Sequence, residues 1–166
     1  GNTTSRELYR TDGTAAGSGL LLEIDRSAGG SQPRGFVRLA NGVILFFARN
    51  AEQVGGELYR TDGTTAGTTL VADIRPGLES AVDNTAVLSV LGNIAVFAAN
   101  DGVTGIELWV TDGTAAGTSQ LLDIWPEAQQ SSAPSAAAVM QGRAYFAAND
   151  GVSGAEPWVT VRQPAP

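Results

Sequence analysis

Glu57-Leu58-Tyr59-Arg60-Thr61-Asp62-Gly63-Thr64 decides how this chain is read, because the same pattern returns on either side of it. Upstream stands Glu7-Leu8-Tyr9-Arg10-Thr11-Asp12-Gly13-Thr14, and downstream Glu107-Leu108-Trp109-Val110-Thr111-Asp112-Gly113-Thr114. A degraded start, Glu156-Pro157-Trp158-Val159-Thr160, follows near the end. Other landmarks keep step: Gly17, Gly67 and Gly117; Ile24, Ile74 and Ile124; Gly42, Gly92 and Gly142; Phe47 with Phe97, and Phe146 one residue early. A repeat of about fifty residues marks an architecture in which one supersecondary unit stacks on its own copies. The chain therefore reads as one repeat domain, residues 1–166, with units at 7–56, 57–106 and 107–155, a partial unit at 156–161 and a tail at 162–166.

Each unit reads as four short strands. Leu58-Tyr59-Arg60-Thr61 ends at Asp-Gly, a strong tight-turn signal. Thr69-Leu70-Val71-Ala72-Asp73-Ile74 follows, then a loop rich in Pro, Gly and Ser. A third strand over residues 86–91 turns at Gly92-Asn93 into a fourth over residues 94–99. That fourth strand is apolar on both faces, the mark of a strand buried between two layers. No segment of helical length carries a 3.6-residue period. The expected class is all-β. Four antiparallel strands per period is the size of a propeller blade, and a sheet with two apolar faces needs a neighbour on each side. A propeller-like array with three blade equivalents is expected, with a sandwich or solenoid as the plainer competitor.

The pattern resembles a bacterial tandem-repeat family with the signature ELWxxDGTxxGTxLVxDI followed by NG…FFxANDGxxGxELW. The best matches are residues 107–124, preceded by Asn100-Asp101-Gly102, and residues 57–74. The resemblance spans essentially the whole chain. It implies a secreted or cell-surface bacterial location and no defined activity. The first copy departs from it, with Arg49-Asn50-Ala51-Glu52 in place of Ala-Asn-Asp-Gly. The Thr-Asp-Gly-Thr hairpin is also loosely similar to the Asp box of sialidase-type propellers, which implies a structural role for Asp12, Asp62 and Asp112, bonded to their own turns.

Composition closes off much chemistry. The net charge is −7, all ten basic residues are Arg, and His and Cys are absent. Without imidazole or thiolate there is no Ser-His-Asp triad, no Cys nucleophile and no usual zinc site. The acidic balance argues against nucleic acid and anionic lipid as partners. No apolar run approaches the roughly 18 residues of a membrane span. No signal peptide is visible, and an opening at Gly1 fits a removed leader or excision from a longer chain.

With strands lettered a to d from the longer loop onward, the chain reads c-d, a-b-c-d, a-b-c-d, a-b-c. Two chains closing a six-bladed ring, or a place in a longer array, would complete the end units. The d–a loops, residues 26–35, 75–85 and 125–135, differ most between copies. Binding residues collect on such loops. The candidates are Arg34, Arg75, Glu79, Asp83, Asn84, Trp125, Glu127, Gln129 and Gln130, with Trp125 the sharpest because its counterparts are Asp25 and Arg75. An exposed Trp stacks on a sugar or anchors a protein contact. Its plainer role is packing under its own loop. Asp101 with Glu107, and Asp150 with Glu156, are spaced as oxygen ligands for calcium, the one cofactor considered. The leading expectation is a non-enzymatic binding or assembly module, with a glycan as candidate ligand. The alternatives are a glycan-processing propeller enzyme, resting on Arg34, Arg38, Arg49 and Arg75 as an anion-binding cluster, and a purely structural surface repeat.

Overall fold

The computed structural model describes residues 6–50, 54–127 and 129–160. Ala51-Glu52 in the first copy's departure, residue 161 of the partial unit and the 162–166 tail lie outside the described residues. Thirteen strands and no helix are present among the described residues, so the all-β class is borne out.

The strands form four antiparallel sheets. The first pairs β1 (Leu8–Arg10) with β2 (Gly19–Leu22). The second runs β3 (Arg34–Arg38), β4 (Ile44–Asn50), β5 (Val54–Thr61) and β6 (Thr69–Ala72) in order. The third repeats it with β7 (Ser89–Leu91), β8 (Ile94–Asn100), β9 (Ile106–Thr111) and β10 (Ser119–Leu122). The fourth holds β11 (Ala138–Met140), β12 (Arg143–Asn149) and β13 (Ala155–Val159). Each sheet is a simple meander, and the connections between sheets are the variable d–a loops.

Period-two alternation explains how the sheets hold together. Phe46, Ala48 and Tyr59 face the first sheet and close on Leu8 and Leu21. Leu45, Phe47 and Leu58, on the opposite face, meet Ala95, Phe97 and Ala99 of the third sheet. Val96 and Leu108 in turn meet Ala144, Phe146 and Ala148 of the fourth. Every sheet seals its neighbour through a separate apolar layer. Tyr9 shows what happens without a neighbour: its equivalent Tyr59 is 6% exposed, whereas Tyr9 is 64% exposed on the open face of the first sheet.

The pairing corrects one point of the sequence alignment. Phe46 lies opposite Tyr59, Phe97 opposite Trp109, and Phe146 opposite Trp158. Phe46, and not Phe47, is therefore the counterpart of Phe97 and Phe146. The span from Phe46 to Tyr59 is one residue longer than those from Phe97 to Trp109 and from Phe146 to Trp158, and the ladder shifts register between Arg49 and Asn50. By the same pairing Phe47 corresponds to Ala98 and Ala147.

The hairpin joining strands c and d, in the first, second and third sheets, is held by its aspartate. Asp62 Oδ1 accepts the Thr64 N–H at 2.9 Å and the Thr64 hydroxyl at 2.7 Å, and Thr64 Oγ1 accepts the Gly67 N–H at 2.9 Å. A Cβ at Gly67 would overlap that carboxylate, so only glycine fits. Asp12 and Asp112 make the same bonds.

Candidate functional site

The d–a connections are built on one carboxylate per copy, buried at Glu57 and Glu107 and half-buried at Glu7. Glu57 Oε2 accepts the Ile74 N–H at 2.9 Å and Oε1 the Ala81 N–H at 3.2 Å. Glu107 repeats this with the N–H groups of Ile124 at 3.0 Å and Ser132 at 2.8 Å, and adds the Ser132 hydroxyl at 2.6 Å. Glu7 does the same with Ile24, Ser31 and the Ser31 hydroxyl. Each glutamate thus pins both ends of its own connection to strand c. Glu57 and Glu107 are fully buried. Burial pushes the Glu57 carboxyl up from 4.5 to about 7, partly offset by the backbone N–H groups it accepts. Ala81 stands where Ser31 and Ser132 supply a hydroxyl, so Glu57 lacks the hydroxyl donor.

The connection also splices each sheet to the next through the backbone. The N–H groups of Gln32, Val82 and Ala133 donate to the carbonyls of Arg6, Gly56 and Ile106 at 3.0, 3.2 and 3.2 Å. One residue earlier, the carbonyls of Ser31, Ala81 and Ser132 accept the N–H groups of Arg49, Asn100 and Asn149, each at 2.9 Å. The first set ties the connection to strand c of its own sheet. The second ties it to strand b of the following sheet.

Where this scaffold ends in side chains, the candidate residues separate. Arg75 pairs with Glu79 and its stem lies near Gly102 in the β8–β9 turn. Trp125 occupies the equivalent place: its indole lies over Gly151 in the β12–β13 turn, so closely that a Cβ there would collide with it. Trp125 is half-buried against the following sheet, a third position beside the two considered from sequence. Arg34 donates to the Asp83 carbonyl at 2.9 Å, while its Nε is buried without a partner. Asp83 Oδ1 accepts the Thr85 N–H and hydroxyl, each at 2.7 Å, and these bonds hold its carboxyl below the usual range. Asn84, Glu127, Gln129 and Gln130 are exposed, and Gln129 takes a positive φ of 60°.

The arrangement uses the proposed calcium ligands internally. Asp101 Oδ1 accepts the N–H groups of Val103 and Thr104, both at 2.8 Å, and Asp150 Oδ1 those of Val152 at 2.9 Å and Ser153 at 2.6 Å. Glu107 is occupied by the clamp, and Glu156 is exposed. Among the described residues no three His, Cys, Asp or Glu side chains gather where they could hold a metal ion. The four arginines of the enzymatic alternative also serve different loops. Arg49 Nε donates to the Gly30 carbonyl at 3.0 Å and lies 3.7 Å from Asp25, while Arg38 is exposed.

Between the third and fourth sheets, at the d–a end, lies a cleft of about 440 Å³. Val96, Ala98, Ile106 and Leu108 form its apolar wall on the third sheet. The segments leading into β7 and β11 flank it, with Asp83, Thr85, Ala133 and Ala137 among the lining residues. Arg75, Ser80, Asn100 and Ser135 add polar groups to its lining. Of the residues singled out from sequence, only Arg75 and Asp83 line it. No protein-family model, curated protein or solved structure matches this chain.

Proposed function

We propose that this chain is a non-enzymatic binding module whose sheets are propeller-like blades and whose ligand-facing end carries the d–a connections. The cleft between the third and fourth sheets is the observation that carries this reading. It has the volume of a small-molecule site and a lining in which an apolar wall is interspersed with a few polar groups. It also sits where the connections are least alike, on a scaffold that clamps each of them with a glutamate carboxylate.

A radial arrangement is supported by the inner strands. β3 approaches β7 and β7 approaches β11, and the turn before β4 bonds the turn before β8 through Ala40 N–H to the Gly92 carbonyl at 2.8 Å. No comparably close approach joins β2, β6 and β10 to one another. Sheets that converge at one edge and spread at the other are wedge-stacked, as blades are.

Assembly with a second copy belongs to the same reading. Tyr9 and Leu20 lie exposed on the open side of the first sheet, and Met140 and Val159 are exposed on the open side of the fourth. These sheets offer opposite ends of the same stacking series, so a contact between chains is head to tail. A six-bladed ring from two chains requires β13 to give up its place beside β12 to the partner's β1. Light scattering tests assembly: a dimer is expected, and a monomer at all concentrations removes it. Binding is tested separately by amide hydrogen exchange. A true ligand protects residues 83–87 and 133–137 without being turned over; protection confined to the opposite turns would rule out the d–a end.

A further inference from the structure

We infer that the cleft between the third and fourth sheets binds a compact, neutral molecule carrying an aromatic ring. This rests on the d–a end being the ligand-facing end, and it names the ligand class for that site.

The chain contains its own control. In the preceding interface the corresponding space is filled by Phe47, Val82 and Leu88, all buried. The Phe47 ring stands 5.7 Å from that of Phe97 in a tilted pair. Strand pairing equates Phe47 with Ala98, because Phe46 opposite Tyr59 matches Phe97 opposite Trp109. Ser89 opposite Val96 matches Ala138 opposite Tyr145, which makes Leu88 the counterpart of Ala137. The splice bonds to Gly56 and Ile106 equate Val82 with Ala133. Three large side chains have become three alanines, and all three alanines line the cleft. The room one interface gives to a phenyl ring and two aliphatic groups, the next leaves open to an outside molecule.

The chemistry of the walls selects the occupant. Val96, Ile106, Leu108 and Pro134 present no side-chain donor or acceptor, so water there finds few partners and an apolar ring displaces it favourably. A sugar would need free hydroxyl partners around most of its rim. Here the polar side chains of the lining are engaged within the protein: Arg75 with Glu79, Ser80 with the Gly56 N–H, Asp83 Oδ1 with Thr85, Asn100 with the Gly102 N–H and Ser135 with the Ala147 N–H. One or two polar substituents on a ring match that supply. Charge is disfavoured because the lining carries both signs, Arg75 already paired with Glu79 and Asp83 bonded to Thr85.

The test is titration of the full chain with indole, and separately with methyl glucoside and maltotriose, followed by amide NMR shifts. Saturable indole shifts are expected in residues 85–87, 96–98 and 133–137. Ala98→Phe, which restores the ring of the preceding interface, should weaken indole roughly tenfold or more while keeping a dispersed spectrum. Ala133→Val is the milder second variant and should weaken it in the same direction. Phe47→Ala should add a second set of indole shifts between the second and third sheets. Indole binding that ignores Ala98→Phe, or no indole shifts in these segments, overturns the inference. If the sugars shift these segments and indole does not, the ring class falls and the d–a binding end stands. Probes that bind only at the opposite turns remove both.

Discussion

The second and third sheets meet through a filled interface, whereas the third and fourth meet through one with a hole. Both use the same strands, the same glutamate clamp and the same backbone splice. The difference lies in Phe47, Val82 and Leu88 on one side and Ala98, Ala133 and Ala137 on the other. A repeat protein with nearest-neighbour stability can spend such a difference locally. The filled interface supplies cohesion and the open one supplies room, because the clamp and the splice keep the fourth sheet in place without close packing at the cleft.

The largest effect should come from emptying the filled interface. Phe47→Ala removes a fully buried ring and is expected to cost about 3–5 kcal/mol in denaturant unfolding. If the loss is under about 1 kcal/mol, the two interfaces do not differ in the way described. Next comes the clamp itself. Glu107→Gln sets an amide where a carboxylate accepts two N–H groups and a hydroxyl, and a loss of about 2–3 kcal/mol is expected. Glu156, its exposed counterpart in the fourth sheet, has no following connection to hold among the described residues. Glu156→Gln should therefore stay within about 0.5 kcal/mol. Equal losses at the two sites would remove the clamp as the explanation.

The repeat, the strand order and the aspartate turns were legible because they depend on local chemistry recurring at fixed spacing. The cleft was not, and one residue explains why. Phe46 and Phe47 are adjacent, so a repeat of constant length matches Phe47 to Phe97, and both interfaces then look equally filled. Only the pairing of Phe46 with Tyr59 reveals the extra residue between them and turns Phe47 into the counterpart of an alanine. The clamp was hidden differently. Glu107 sits close in sequence to Asp101, and two carboxylates in a polar turn suggest a cation. The overlooked signal was its recurrence at Glu7, Glu57 and Glu107 beside an inward-facing leucine, always at the same distance from Ile24, Ile74 and Ile124. A solvent-facing ligand has no reason to keep step with a core isoleucine.

Filling the open interface should have a smaller effect, of opposite sign. Ala98 is half-buried beside the cleft, and Ala98→Phe is expected to stabilise by about 1–2 kcal/mol in the same unfolding measurement, from apolar area removed from water. A loss instead of a gain would mean that the cleft is too narrow for the ring that its counterpart accommodates.

The smallest effect concerns the clamps alone. Glu57 is met by backbone N–H groups alone where Glu7 and Glu107 have a serine hydroxyl as well, and its carboxyl is pushed up to about 7 by burial. Folded Glu57 therefore holds its proton to a higher pH than it does in the unfolded chain, where it releases it near 4.5. More protons are bound folded than unfolded between those values, so its contribution to stability is complete below about pH 4.5 and is lost as pH climbs to about 7. The aspartate turns act in the opposite sense, but only at lower pH, since Asp62 and Asp83 titrate below the usual carboxylate range. Ala81→Ser places at Glu57 the donor that Ser132 gives Glu107. It should lower the Glu57 value, flatten the decline between pH 4.5 and 7, and add about 1 kcal/mol at neutral pH. Carboxyl NMR titration and unfolding at several pH values read both. An unchanged titration with the hydroxyl in place would mean that the missing donor is not what distinguishes the middle clamp from its neighbours.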